Sequence, residues 1–272
     1  MPIITIYQGA SGDGQELAEA VAQELGYRVV GREVLVEASR RYRIPEARLS
    51  DIVEKGPHWW ERLLEDVRPY RIALQAALCE LARELNVVYH GHLGHELLPG
   101  ISHVLKVLLS APIEYRIKQV RARQGITDAS ARKYIYELDK ARSRRLMEMF
   151  GSDWHDPNRF DLVLNLSKMR REGAKQVIVE AARLEEYRPT SASIQAFNDL
   201  ALAARVHASL LASPHLQGSS LEVRAEDGHV FVKGRVDHGL EDEVTTLVKN
   251  VPDVVKVTTD LFSVPPEALL GA

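Results

Sequence analysis

The sequence predicts an α/β domain with a parallel sheet, followed by a small α+β domain of the order α-β-β-α-β. Three observations support this fold class. Strand-like runs alternate with helical patterns from residue 3 to residue 186, which is typical of a parallel sheet covered by helices on both faces. A glycine-rich loop separates the first strand from the first helix. The C-terminal part has a different hydrophobic pattern and a different charge balance.

In the N-terminal part, four apolar runs have the length of strands and are separated by segments with helical spacing. The strands are predicted at 3–7, 86–89, 104–109 and 161–166. A helix is predicted directly after the first loop, where apolar residues recur from Leu17 to Leu25, and others are predicted at 59–85, 113–123, 129–149 and 174–186. Ligands of such folds bind at the carboxyl ends of the strands, so the loop after the first strand is the first candidate site.

The charge balance changes near residue 189. Residues 1–189 contain 29 basic and 27 acidic side chains, whereas residues 190–272 contain 6 and 11. The change falls in a stretch that contains proline, serine and threonine and lacks apolar periodicity, which predicts an exposed linker. We therefore expect one domain at 1–188, a linker at 189–196 and a second domain at 197–266.

The second domain has its own strand and helix signals. Residues 200–211 and 241–250 have helical patterns, and alternating residues from 221 to 235 surround Asp227-Gly228, which predicts a β-hairpin because glycine tolerates a positive φ. Residues 254–261 are predicted to form the third strand.

Composition excludes several classes of protein. The net charge of −3 argues against a dedicated nucleic-acid binder. Cys79 is the single cysteine, so no intrachain disulfide can form and a reducing compartment is expected. No apolar run approaches the roughly 18 residues that a transmembrane helix needs, and the N-terminus does not resemble a secretion signal. We expect a soluble cytoplasmic protein without a transmembrane segment.

The loop from Gly9 to Glu16 has the G-x-x-x-x-G spacing of a phosphate-binding loop, with glycines at Gly9 and Gly14. Glycines let backbone N–H groups converge on phosphate oxygens, and the dipole of the following helix adds positive potential. Gln15 and Glu16 stand where lysine and serine or threonine usually follow. The candidate phosphate-binding residues are Gly9, Ala10, Ser11, Gly12, Asp13, Gly14, Gln15 and Glu16. The alternative is a strand-to-helix turn that binds no ligand.

Three segments resemble the cytidylate kinase-like family, relatives of the nucleoside monophosphate kinases. They are ITIYQGASGDGQELAEAVAQELGYRVVGREVLVEAS, APIEYRIKQVRARQGITDASARKYIYELDKARSRRL and GSDWHDPNRFDLVLNLSKM. The resemblance implies a P-loop kinase fold with a helical lid, ATP as phosphoryl donor, Mg²⁺, and a nucleoside monophosphate acceptor. This chain departs from the family pattern at Gln15 and His92, where an arginine is expected, and at Gly31, where an aspartate is expected.

A cationic segment lies between Arg116 and Arg145, with ten basic and three acidic residues. Phosphoryl transfer needs positive charge around the transferred group. The resemblance places a lid at 123–145 and implies that Arg132, Arg142 and Arg145 reach phosphates while Asp139 orients one of them. It also implies that Arg32 and His92 contact the acceptor. The alternative is a solvated basic helix face. His90, His92 and His95 lack the further ligands of a zinc site, so no protein-held metal is expected.

The tail resembles a BON domain through LEVRAEDGHVFVKGRV and VPDVVKVTTDL. Because this domain is acidic, an anionic lipid surface would not attract it. We therefore expect a protein or small-ligand partner. Two functions follow from the sequence. The first is transfer of the ATP γ-phosphoryl group to a cytidylate-type nucleotide. The alternative is a catalytically weakened nucleotide sensor whose BON-like domain signals to a partner.

Overall fold

A five-stranded parallel sheet forms the centre of the N-terminal domain. Its strands are β1 Ile3–Gln8, β2 Arg28–Val30, β3 Val87–His90, β4 Val104–Ser110 and β5 Leu162–Asn165. They lie in the order β2-β3-β1-β4-β5 and all pairs are parallel. The computed structural model describes residues 2–9, 14–42, 44–47, 49–50, 67–91 and 93–264.

Helices cover both faces of this sheet, as the sequence predicts. They are α1 Gly14–Leu25, α2 Glu33–Tyr42, α3 Arg68–Leu81, α4 Gly94–Leu97, α5 Ile113–Gln124, α6 Asp128–Phe150 and α7 Arg171–Ala182. The central strand β1 is buried along its whole length. Its side chains alternate between the two layers, so that Ile3 and Tyr7 pack with α2, α3 and α6, whereas Ile4 and Ile6 pack with α1 and α7.

The region predicted as a lid is a helical hairpin of α5 and α6. Gly125 ends α5 with a φ of +66°, and the side chain of Thr127 caps α6 by accepting a hydrogen bond from the backbone of Ser130. Apolar residues of the two helices pack in a small core of their own: Ile117, Val120, Ala131, Ile135 and Leu138. This core holds the two helices side by side above the carboxyl edge of the sheet.

The C-terminal domain has the predicted α-β-β-α-β order. Its elements are α8 Ser191–Leu211, β6 Ser220–Glu226, β7 His229–Asp237, α9 Glu241–Lys249 and β8 Lys256–Val264. Strand β7 pairs antiparallel with β6 and parallel with β8. The predicted hairpin turn is confirmed, because Asp227 and Gly228 both have positive φ, as a type I′ turn requires. The helices cover one face of this three-stranded sheet.

The predicted linker at 189–196 is mostly exposed, but from Ser191 onward it is the start of a helix instead of an irregular connection. Helix α8 begins at Ser191, and Thr190 and Ser193 form a capping box at its start. The side chain of Ser193 also forms a hydrogen bond of 2.8 Å with buried His103. Short polar residues are common both in linkers and at helix starts, and only the packing of the helix distinguishes the two.

Other element boundaries also differ from the predictions. Strand β2 has only three residues and shows no apolar run in the sequence. Helix α7 begins three residues earlier than predicted and ends at Ala182, followed by a short 3₁₀ turn at Glu185–Tyr187. Within the helix predicted at 59–85, the structure describes α3, and residues 59–66 lie outside the described residues. Among the described helices, none combines the length and apolar character needed to cross a bilayer.

Helix α8 is packed into the core of the N-terminal domain, and Phe197 is its anchor. Phe197 is 1% exposed and belongs to the same apolar cluster as Ile3 and Tyr7. Replacing it with alanine leaves a large cavity. We therefore expect Phe197→Ala to lower the free energy of unfolding by about 3–5 kcal/mol. Urea denaturation of the full chain measures this change.

Ile194→Ala is the control for this prediction, because Ile194 lies one turn earlier on the same helix with its side chain exposed. Its effect should stay below about 1 kcal/mol. Equal losses in the two variants would mean that α8 does not anchor the N-terminal domain through Phe197.

Buried His95 provides a pH-dependent prediction. It is 2% exposed, and its ring lies 5.1 Å from that of Tyr7 and 4.6 Å from that of Phe160. Burial lowers its pKa to about 4. The unfolded chain binds a proton at His95 near pH 6.5 whereas the folded chain does not, so this group removes stability as the pH falls from 6.5 to 4.

We expect His95→Phe to flatten the fall in stability over this pH range. The wild-type free energy of unfolding should drop by about 1–3 kcal/mol more than that of the variant. Denaturant titrations at several pH values measure both curves. Parallel curves would show that His95 is not held neutral by the fold.

Candidate functional site

The glycine-rich loop leaves the carboxyl end of β1 and leads into α1. Gly9 and Gly14 belong to the described residues, and Ala10, Ser11, Gly12 and Asp13 lie outside them. A Cβ atom on Gly14 would lie only 2.6 Å from Nε2 of His90, at the end of the neighbouring strand β3. Gly14 is therefore required by the close approach of His90 to the start of α1.

The side chain of Gln8 occupies the start of α1. Its carbonyl oxygen accepts a hydrogen bond from the backbone N–H of Gly14. This N–H is one of the groups that a helix start offers to an anion. A phosphate that used it would have to displace the Gln8 carboxamide.

Arg116 lies against the other end of the loop. A Cβ atom on Gly9 would be 3.1 Å from Nη2 of Arg116 and 3.6 Å from the ring of Trp154. Arg116 forms a two-pronged ion pair with Asp139, with both N–O distances at 2.7 Å. Gly9 thus lets a guanidinium group approach the main chain, and Asp139 holds that group in place.

Arg142 and Arg145 are buried below this edge of the sheet. Arg142 is 8% exposed and donates a hydrogen bond of 3.2 Å from Nη1 to the backbone oxygen of Gln8, and Arg145 is 2% exposed. Burial lowers the pKa of Arg142, and burial together with the charge of Arg142 lowers the pKa of Arg145 to about 9. Both lie near the phenol of Tyr7, whose pKa is raised by burial. Two buried guanidinium groups therefore lie side by side at this end of β1.

His90 is a neutral group in the same site. Burial and the nearby charge of Arg142 lower its pKa to about 4. At neutral pH it therefore supplies an uncharged imidazole to the start of α1, and the positive charge comes from the arginines of α5 and α6.

Two of the predicted phosphate or acceptor contacts lie on exposed surfaces. Arg132 forms an ion pair of 2.9 Å with Glu114, and Arg32 forms one of 3.0 Å with Glu46. Arg132 therefore lies at the surface, whereas Arg142 and Arg145 of the same helix α6 are buried. His92 lies outside the described residues.

The last two residues of the predicted loop motif contact charged neighbours. Gln15 donates a hydrogen bond of 3.0 Å to Glu19 on the next turn of α1. Glu16 pairs with Arg123 at 3.4 Å and with Arg171 at 2.5 Å. Glu16 therefore joins α1 to the end of α5 and the start of α7, which differs from the phosphate-site role that its position in the motif predicts.

Two cavities flank the start of α1. The β2–β3 cavity has a volume of about 510 Å³ and lies at the ends of these two strands; its lining includes Gln15, Glu19, Arg32, Glu33, Tyr89 and His90. The β5 cavity has a volume of about 480 Å³ and lies after the end of β5; its lining includes Leu17, Tyr115, Lys168, Met169, Arg170 and Arg171. Each is large enough for a nucleoside-sized group.

Sequence reasoning did not single out several residues of this site. Arg116 was one of ten basic residues in a run, and nothing in the run distinguishes it as the partner of Asp139. Gln8 and Tyr7 are the last residues of a strand. Because ligands of this fold class bind at the carboxyl ends of the strands, these two residues could have been predicted as site residues from the sequence. The same argument applies to the segment 168–171 after β5.

Two family models match the chain. The cytidylate kinase-like family model matches residues 3–168, and the BON domain model matches residues 198–266. A solved structure of an uncharacterized protein from Eubacterium ventriosum matches with a TM-score of 0.53 and 18% identity, covering 66% of this chain and 97% of that one. This last likeness concerns the fold alone.

Curated relatives match the N-terminal part. The cytidylate kinase of Pyrococcus horikoshii is 33% identical over 102 residues, which is 38% of this chain, and the chain spans only 52% of that relative's length. The cytidylate kinase of Ignicoccus hospitalis is 29% identical over 177 residues, 64% of this chain and 96% of the relative. The parallel sheet, the glycine-rich loop and the family match together lead to one conclusion: the chain belongs to the cytidylate kinase-like family and carries a BON domain at its C-terminal end.

Proposed function

We propose that this protein transfers the γ-phosphoryl group of ATP to a nucleoside monophosphate of the cytidylate type. The observation that carries the proposal is the cluster of Arg116, Arg142 and Arg145 at the carboxyl end of β1, together with two nucleoside-sized cavities lined by residues of the following helix α1. Phosphoryl transfer depends mainly on positioning and on stabilising negative charge. The acceptor phosphate is already anionic at neutral pH, so no general base is needed.

The ATP donor fits the loop and the β5 cavity. Tyr115 and Met169 offer apolar surface for the base, and the basic segment 168–171 adds positive charge. In the proposal, backbone N–H groups between Gly9 and Gly14 hold the donor phosphates. Gln15 contributes no charge there, so Arg142 and Arg145 supply it instead.

The acceptor fits the β2–β3 cavity. Glu19 and Glu33 can accept hydrogen bonds from hydroxyl and amino groups, which suits the sugar and base of a nucleotide. The two carboxylates would repel a phosphate, so the acceptor phosphate is expected to point out of this cavity towards the buried arginines. Arg32 lines the rim of the cavity and His92 follows β3, and both remain proposed acceptor contacts.

Mg²⁺ is expected to arrive with ATP. Among the described residues, Glu16 at the end of the loop is paired with Arg123 and Arg171, and Asp139 is paired with Arg116. They do not form a magnesium site of their own. Mg²⁺ commonly binds through substrate phosphates and water, which suits this arrangement.

A nucleotide sensor with weak transfer is the second candidate. Two hydrogen bonds favour it. The side chain of Gln15 donates to Glu19, and the backbone N–H of Gly14 donates to the Gln8 carboxamide oxygen, so neither group is directed at a phosphate. In this version, the domain proposed at 197–266 binds a protein or small-ligand partner and signals nucleotide occupancy from the domain at 1–188. Either function would operate in the cytoplasm, the location that the sequence predicts.

An acceptor screen separates the two candidates. ADP release is measured in a coupled assay with ATP, Mg²⁺ and each of CMP, dCMP, UMP and AMP. Acceptor-dependent turnover supports the kinase. Saturable nucleotide binding in calorimetry without turnover supports the sensor, and the lack of both would contradict both candidates.

We expect Arg142→Ala to lower turnover by about 10³-fold, because it removes a buried cation that faces the transferred group. Arg144→Ala is the matched control: Arg144 is exposed on the same helix and paired with Glu148. The control should change turnover less than about twofold. Melting temperatures of both variants are measured in parallel, and a loss of rate in Arg142→Ala that only follows its loss of folded protein would contradict a role at the phosphate.

A further inference from the structure

Helix α2 connects the β2–β3 cavity to the C-terminal domain. Glu33 and Leu35, at the start of α2, line the cavity. Tyr42, at the end of α2, packs against α8. With 1.5 Å per residue, the ten residues of α2 span about 15 Å. Since a helix moves as a rigid rod over this length, a displacement of its end reaches the cavity.

Tyr42 sits in an apolar contact between three helices. The buried members of this contact are Ile72 and Ala76 of α3 and Ala204 and Ala208 of α8. Tyr42 and Leu211 pack against them. The small alanine side chains let α3 and α8 approach closely, and the partly buried Tyr42 packs against this contact. Burial raises the pKa of Tyr42 to about 12, which agrees with this packed position.

An ion pair adds a second connection at the same end of α2. Arg41 forms a bond of 3.2 Å with Glu80 of α3 and is also paired with Glu37. The end of α2 is therefore joined to α3 by charge and to α3 and α8 by packing.

The opposite face of α8 belongs to the C-terminal domain. Leu202, Val206 and Leu210 pack in the core of that domain, while Phe197, Ala204 and Ala208 face the N-terminal domain. One helix thus supplies side chains to both domains. The position of α8, and with it the support of Tyr42, depends on the fold of the C-terminal domain.

We propose that Tyr42 is a positioning residue through which the C-terminal domain sets the geometry of the β2–β3 cavity. The inference rests on the proposed function, in which this cavity binds the acceptor. It assigns the C-terminal domain a role in acceptor binding that is separate from any partner of its own. Donor binding, at the other side of α1, does not depend on α2.

Calorimetric titrations of the full chain with CMP and with ATP test this proposal. We expect Tyr42→Ala to weaken CMP binding by about tenfold and to leave ATP binding within about twofold. Tyr42→Phe keeps the ring and should bind both like the wild type. Leu211→Ala, which loosens the same contact from the side of α8, should reproduce the selective loss of CMP binding. Val36→Ala is the control, because Val36 is 47% exposed on α2 and truncation there leaves the contact intact.

Hydrogen exchange of the backbone amides of residues 31–35 gives a readout that needs no substrate. Exchange should be faster in Tyr42→Ala than in the wild type, and unchanged in Val36→Ala. If the wild-type chain binds no CMP, the proposed function fails at this acceptor and the exchange data alone decide the inference. Unchanged exchange at 31–35, or equal losses of CMP and ATP binding, would overturn it.

Discussion

Buried positive charge at the carboxyl end of β1 is the constraint around which the N-terminal domain is arranged. Arg142 and Arg145 lie under the sheet edge, where burial lowers the pKa of each. Burying a guanidinium group is costly unless hydrogen bonds or counter-charges compensate it. Arg142 bonds the backbone oxygen of Gln8, and Asp139 compensates Arg116. Among the described residues, Arg116, Arg142 and Arg145 lie together with Asp139 at this end of β1.

In the proposed phosphate site, the source of positive charge differs from that of the usual phosphate-binding loop. In such loops a lysine follows the glycines and reaches the phosphates. Here Gln15 is uncharged and His90 is neutral, so α5 and α6 provide the cations from the opposite side. The cations of the proposed site lie on a helical hairpin that has a small apolar core of its own.

Helix α8 makes the two domains one packed body at their junction. It uses one face for the N-terminal core and the other for the C-terminal core. Ion pairs of Asp253 with Arg83 at 3.4 Å and with Arg205 at 3.1 Å reinforce the junction. The domains therefore differ from two modules on a flexible tether, because α8 contributes side chains to both cores.

The local signals of the sequence were sufficient for four of the five strands in the N-terminal sheet, the position of the glycine-rich loop, the hairpin at Asp227-Gly228 and the helices α5 and α6. These depend on residues close together in the chain, where periodicity and turn chemistry act. The residues 3–168 and 198–266 also match the two families that their motifs resemble. Strand β2 was not visible, because it is a three-residue edge strand that pairs only with β3 and buries only Val30 fully, so it needs no apolar run.

Pairings between distant residues had no such signal. The basic run could not show that Arg142 and Arg145 are buried while Arg132 pairs with Glu114 at the surface, since all three lie on one helix. Nor could it show that Asp139 holds Arg116, or that a polar stretch at 189–196 begins a helix shared by two cores. The sequence by itself determined the fold class, the family and the position of the loop. Tertiary structure alone decided which charges are buried and which meet, because burial depends on the helices and strands that pack around each group.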